Sequence, residues 1–260
     1  MTDLAQRIER TVVQPGSLAV FWLCQAGFAF KSSSGRVVYV DPYFSDVVEQ
    51  RFGFKRMMAC PMAVEQVAAD LVVCTHEHLD HMDIDALPVL ASNARTHFAG
   101  PIECCKAFES MGVPEERRHL LTAGESQSIQ GVVVHGVFAD HLPLAPDALG
   151  VVLDFDGVRV YHTGDTAYRP EQFQPALALR PDILIPCING RYGNMNAVEA
   201  AQLTRDARPA LAIASHFWMF VAHNGDPALF LEQCAKLAPD VRAVVMKPGE
   251  GLEFATQAGR

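Results

Sequence analysis

Apolar positions in this chain fall mostly into short runs, bounded by glycine, proline and small polar residues, rather than into long amphipathic stretches. After Pro15-Gly16, three strand-like runs occupy 18–23, 27–32 and 36–41, with Ser33-Ser34-Gly35 as the hairpin signal between the last two. Asp70-Leu71-Val72-Val73-Cys74 is short, apolar and β-branched, which predicts a buried strand. Further strands are predicted at 96–99, 132–139, 151–156, 158–162, 182–186, 211–215 and 241–246, and Asp156-Gly157 marks a second hairpin turn. Helical spacing is weak over 2–12, read as a lid or an oligomer contact, and predicts helices at 63–68, 84–91, 101–111, 197–206 and 227–237. Pro88 implies a kink or early end to its helix, whereas Pro101 sits where a helix tolerates proline. Between them, 44–62 carries Phe44, Phe52, Phe54, Met57 and Met58 without clean periodicity, consistent with a pocket wall or with core packing. Strands and helices alternate through both halves, which by itself defines a mixed α and β chain. No low-complexity linker divides residues 1–260, so the expectation is a single domain.

Composition narrows the class. Half of the 260 residues are hydrophobic, enough for a sizeable core. The net charge of −9 repels polyanions, which argues against nucleic acid or an anionic membrane as partner, although a local basic pocket could still take a small anion. The seven cysteines are odd in number and lack a C-x-x-C, so neither a disulfide framework nor a zinc knuckle is implied and a reducing cytoplasm is expected. The N-terminus is polar and mixed in charge, unlike a signal peptide, and no apolar run approaches the length of a membrane span.

The chemistry is concentrated directly after the run 70–74, in Thr75-His76-Glu77-His78-Leu79-Asp80-His81-Met82-Asp83. Imidazole and carboxylate are natural ligands for zinc, manganese or iron. On a turning loop His76 and His78 point the same way and grip one ion, leaving Asp80 and His81 to face a second position. The alternative is three surface histidines that happen to be close. One loop cannot complete two metal sites, so further ligands must come from distant strand ends.

The pattern H-x-H-x-D-H after an apolar strand resembles the metallo-β-lactamase superfamily of metal-dependent hydrolases. Phe21-Trp22-Leu23-Cys24-Gln25-Ala26-Gly27, Phe98-Ala99-Gly100-Pro101, Met111-Gly112-Val113-Pro114-Glu115-Glu116-Arg117 and Tyr161-His162-Thr163-Gly164-Asp165 are similar to its L-ascorbate-6-phosphate lactonase family, over about 13–237. The resemblance implies an α/β fold, the αβ/βα four-layer sandwich with two mixed sheets and helices outside. It makes His141, after Ala139-Asp140, the third metal motif; Asp165 the carboxylate shared by both ions; and His216, after Ala214-Ser215, the last metal histidine. His76, His78 and His141 then hold one divalent ion, and Asp80, His81 and His216 the other. Asp41 is either a support for the metal loop, as in the superfamily, or an ordinary strand-end carboxylate. His162 is a candidate support, and His97, His119 and His135 are read as packed or exposed. Flavo-diiron proteins carry Glu at the place of His78, which, with no flavin-binding module present, argues against oxygen reduction.

The expected activity is that of a dinuclear metal-dependent hydrolase. A water shared by two cations has its pKa lowered from about 15.7 to near 7, and Asp80 is placed to orient it and carry its proton to the leaving group. By resemblance the substrate is a phosphorylated sugar lactone; a phosphodiesterase acting on a small phosphodiester is the alternative, and a protein with purely structural metals the third. For a substrate anion, the loop Asn189–Asn196 leaves a strand and enters a helix N-terminus, a favourable place for negative charge. Arg191 would hold the anion, with Asn194 and His223 as further substrate contacts; Asn194 or Asn196 could instead cap the helix.

Overall fold

A computed structural model describes residues 3–256. Two seven-stranded sheets face each other. The first contains β1 (Ser17–Trp22), β2 (Phe28–Ser32), β3 (Val37–Val40), β4 (Leu71–Val73), β5 (His97–Gly100), β6 (Arg118–Leu120) and, from the end of the chain, β14 (Gly251–Ala255). The second contains β7 (Ser126–Ile129), β8 (Val132–Phe138), β9 (Leu149–Phe155), β10 (Val158–His162), β11 (Ile183–Ile185), β12 (Leu211–Ile213) and β13 (Arg242–Val244). The spatial orders are β14-β1-β2-β3-β4-β5-β6 and β13-β12-β11-β10-β9-β8-β7. In each sheet an antiparallel meander gives way to parallel strands, from β3 onward in the first and from β10 onward in the second.

The strands read as continuous apolar runs because most central ones are covered on both faces. In β1 every residue is buried: Leu18, Val20 and Trp22 point between the sheets, while Ala19 and Phe21 face the outer layer. Between the sheets they meet Val151, Leu153, Val160, Ile183 and Ile185 of the opposing sheet. Each such side chain contributes about 1.5–3 kcal/mol when fully buried. Outside the first sheet lie α1 (Leu4–Arg10), α3 (Leu87–Ala91) and α4 (Ile102–Ser110), packing Leu4, Ile8, Leu87, Leu90, Cys104 and Phe108 on it. Outside the second lie α5 (Gln174–Ala178), α6 (Ala197–Ala207) and α7 (Pro227–Leu237). The result is the αβ/βα four-layer sandwich.

The structure departs from the sequence reading in several elements. The expected helix at 63–68 is one 3-10 turn, Val64–Gln66, since so short a segment cannot stabilise a helix without a packed face. Within 44–62 there is a short helix, α2 (Val47–Phe52), closed by Gly53 in the left-handed region. The strands β6, β7 and β14 were not foreseen; all three are sheet edges, and none is apolar enough to announce itself. Over its described part, residues 3–12, the expected segment 2–12 is no lid over the site: α1 buries Leu4 and Ile8 against the outer face of the first sheet.

Candidate metal centre

The strands β1, β3, β4, β8, β10 and β12 all end at one rim of the sandwich, and the expected ligands sit just past the ends of four of them. His76, His78, Asp80 and His81 follow β4, His141 follows β8, Asp165 follows β10 and His216 follows β12. All seven expected ligands converge there. The ligand atoms of His76, His78 and His141 lie within 4.8 Å of one another, as do those of His76, His81 and Asp165. On the other side, His81 Nε2 is 3.1 Å from His216 Nε2 and each is 3.8 Å from Asp80 Oδ2. Asp165 spans the two groups: Oδ1 is 3.4 Å from His81 Nε2 and 3.0 Å from His216 Nε2, while Oδ2 is 3.8 Å from His141 Nε2.

His223, expected to contact substrate, lines the cleft and also lies beside the expected ligands: its ring nitrogen is within 4.8 Å of the ligand atoms of Asp80 and His216. Asn194 is turned inward, donating from Nδ2 to Asp165 Oδ2 at 2.6 Å, so its amide fixes the Asp165 carboxylate. Arg191 is exposed, with Nε 3.4 Å from Asn224 Oδ1, and does not line the cleft over the centre. Nor is the N-terminus of α6 open to an anion. Asn196 accepts from the N–H groups of Val198 and Glu199, and the Glu199 side chain accepts from Asn196 N, a closed capping box.

The surroundings aim these groups. Asp41, at the end of β3, accepts from Thr75 N and Thr75 Oγ1 at 2.7 Å each and lies 2.8 Å from His81 Nδ1. Its carboxylate thereby fixes the His81 ring with Nε2 directed into the centre, the arrangement that orients metal-binding histidines. Asp83 accepts from the N–H groups of Phe44, Ser45, Asp85 and Ala86 and from Ser45 Oγ, tying the metal loop to the segment after β3. His162 is no ligand: Nε2 donates to Ala26 O at 2.8 Å and Nδ1 accepts from Gly164 N at 3.1 Å, pinning the turn before Asp165. His97 and His119 pair with each other at 2.8 Å, away from the centre.

Gln25 is the principal residue that sequence reasoning missed. It lies in a turn where Cys24 and Gln25 both have positive φ and Gly27 N donates to Cys24 O. Gln25 O accepts from His216 N and from Trp22 Nε1, both at 3.0 Å, clamping two turns of opposite sheets together. Its Nε2 is 2.6 Å from Asp80 Oδ2 and 3.1 Å from both His216 Nε2 and His223 Nδ1. An amide has two protons, so it serves two of these three at once. A polar residue just past an apolar strand was the only signal, and it does not announce the left-handed turn that turns it inward. Positive φ at Gln25, Asp41 and His216 places backbone strain at this rim, where function commonly holds it.

Electrostatically the centre is ready for cations. Burial pushes His76 well below the ordinary imidazole range, and burial likewise brings His141 and His223 down to about 4, leaving neutral rings with free lone pairs. His81 is the exception: burial opposes its charge, but Asp165, Asp41 and Asp80 together raise it to about 10. Burial also works against the charged form of Asp80 and Asp165, yet the neighbouring histidines hold both carboxyls below their usual range. Both ring nitrogens of His141 and Nδ1 of His216 are buried without a hydrogen-bond partner among the described residues. Unpaired buried imidazole nitrogens require an explanation, and a metal ion held by this donor set would supply one for His141 Nε2, which faces the cluster.

Comparison with known proteins agrees with this geometry. The family profile described as a beta-lactamase superfamily domain matches residues 19–216. The chain belongs to the metallo-β-lactamase superfamily. A UPF0173 metal-dependent hydrolase of Archaeoglobus fulgidus is 28% identical over 258 residues, covering 91% of this chain and 99% of its own. Another UPF0173 metal-dependent hydrolase, from Polynucleobacter asymbioticus, is 25% identical over 258 residues, covering 92% and 87%. Among solved structures, Igni18, a metallo hydrolase of Ignicoccus hospitalis, superposes with a TM-score of 0.74 at 23% identity, over 93% of this chain and 100% of its own. An isothiocyanate hydrolase from Delia radicum gut bacteria superposes with a TM-score of 0.75 at 19% identity, over 92% and 100%. By fold, ligand cluster and relatives, the protein is a metal-dependent hydrolase.

Proposed function

We propose that the enzyme is a dinuclear hydrolase that opens a lactone or carboxylic ester, with one divalent ion held by His76, His78 and His141, the other by Asp80, His81 and His216, and Asp165 shared. The observation that carries this reading is the division of Asp165, one oxygen toward His81 and His216 and the other toward His141. When bound, such a pair of cations lowers the pKa of a water and polarises a carbonyl oxygen. Asp80 Oδ2 is the proton acceptor; its carboxyl is held below the usual range by His81, His216 and His223 against the opposing effect of burial, so it is ionised at neutral pH. Gln25 donates to that oxygen at 2.6 Å and keeps it facing the centre. Asn194 and Asp41 stop Asp165 and His81 from rotating away as the proton moves.

Among the described residues no helix is long and apolar enough to cross a membrane. Cytoplasmic residence is part of the proposal, supported by seven unpaired cysteines.

The test is a screen of metal-reconstituted protein against lactones, carboxylic esters, thioesters and small phosphodiesters, alongside elemental analysis. Close to two ions per chain and turnover of a lactone or ester support the proposal. No transition metal after reconstitution, or turnover of phosphodiesters alone, overturns it.

A further inference from the structure

The cleft above the centre has a volume of about 590 Å³, within the range of pockets that enclose small organic ligands. One end is the metal centre. The other is built from Val48, Phe52, Phe54, Leu144 and Phe220, with Tyr192 beside His223. Phe220 and Val48 are buried and form the floor, whereas Phe52 (63% exposed), Phe54 (47%) and Leu144 (46%) stand open at the rim. An aromatic path links the two ends. His216 and His223 rings lie 4.7 Å apart, His223 and Phe220 5.0 Å, and Phe220 and Phe54 6.3 Å.

Charge in this cleft is one-sided. Among the described residues that line it there is no lysine or arginine, and Glu77, Asp80 and Asp165 are all acidic. The cations beside this wall in sequence, Arg51, Lys55 and Arg191, are exposed and do not line the cleft, and Arg56 is committed elsewhere: it lies over the Tyr43 ring and donates to the carbonyls of Tyr43 and Phe44. Within the cleft a phosphate placed against Phe52, Phe54 and Leu144 would meet no lining cation, whereas an alkyl or aryl group would cover apolar surface now open to water.

The geometry points to a substrate whose reacting carbonyl sits at the metal end and whose other part is an uncharged alkyl or aryl group lying along Phe220, Phe54 and Leu144, not a phosphorylated sugar. This rests on the reading of the histidine end as the reacting end. It departs from the phosphorylated lactone suggested by family resemblance, and it names specificity residues that contribute nothing to the chemistry.

The experiment separates binding from turnover. Straight-chain alkyl hydroxamates, from acetohydroxamate to octanohydroxamate, chelate divalent ions through their heads and are titrated calorimetrically into the metal-loaded full chain. Affinity should rise about fourfold for each methylene that the wall covers. Phe54→Ala and Leu144→Ala, both at the open rim, should each weaken octanohydroxamate about tenfold more than acetohydroxamate. Affinity independent of chain length would overturn the inference, as would tighter binding of a phosphate-terminated hydroxamate than of its methyl-terminated counterpart. Chain-dependent binding without turnover of any lactone or ester would leave this inference standing and overturn the hydrolytic reading. Turnover with chain-independent binding would do the reverse.

Discussion

Asp165 faces two groups of imidazoles with two oxygens, and no other side chain at the centre does so. Asp165→Ala should therefore lower metal content at both positions, read by elemental analysis, whereas His78→Ala should affect one. Retention of a full complement in Asp165→Ala would refute the sharing. Asp80→Asn tests chemistry apart from binding, since an amide keeps an oxygen ligand but cannot accept the proton. Metal content should largely persist while kcat falls about 100-fold or more; near-normal kcat would exclude the proton role. Gly164 prepares the turn before Asp165 at φ +59°, and a Cβ there would lie 2.6 Å from Leu149 O. Gly164→Ala should cost on the order of 2 kcal/mol by denaturant unfolding. The residues that converge at the centre were legible in the sequence because residue type and local spacing announce His76, His78, Asp80 and His81, and because His141, Asp165 and His216 each follow an apolar strand. Asn194 and His223 were legible as residues of this rim, but their contacts with Asp165, Asp80 and His216 were not. Asp41 was legible as one of two readings, a support for the metal loop, whereas Gln25 depends on a left-handed turn and a cross-sheet contact that no local pattern encodes.

At the scale of elements, the metal loop is held by a carboxylate outside the centre. Asp83 gathers four backbone N–H groups and the Ser45 hydroxyl while itself 1% exposed. Removing it takes the carboxylate partner from the buried Phe44 N–H and the half-buried Ser45 donors, so Asp83→Ala should destabilise the protein by on the order of 2 kcal/mol and loosen metal binding indirectly. Unchanged unfolding midpoints would show that water takes over the donors. The same scale explains which elements could be foreseen. Strands covered on both faces, such as β1, β4 and β11, have to be apolar throughout and so stand out. Edge strands such as β7, Ser126–Ile129, have only one neighbour and carry polar residues, so their strand character comes from pairing with β8 rather than from their own composition. Short helices fail for the opposite reason: α2 exists because Val47 and Val48 are buried beside Tyr43 and Phe220, a contact between distant segments.

For the molecule as a whole, the centre couples the two sheets to each other and to pH. The ligands follow strands of both sheets, so ions bound there hold the sandwich closed at that rim and should raise stability by about 2.7 kcal/mol at a free metal concentration 100 times Kd. In chelated protein the histidines set the pH profile. His141 and His223 have folded values of about 4, below the ordinary 6.5, mainly because they are buried. Between pH 6.5 and 4 the unfolded chain binds protons that the folded chain refuses, so stability falls as pH falls through that window. His81 has the opposite sign. With its folded value raised to about 10 by Asp165, Asp41 and Asp80 in spite of burial, its contribution is complete below pH 6.5 and is lost as pH rises through 10. Urea midpoints of the chelated protein should therefore decline on both sides of neutrality, and His141→Gln should flatten the acid side while leaving the alkaline side in place. Metal should displace the His81 proton, since that nitrogen cannot bind both. Calorimetric metal titrations at pH 7 in buffers of different ionisation enthalpy should accordingly show net proton release, and a titration with none would mean that His81 enters the complex already neutral.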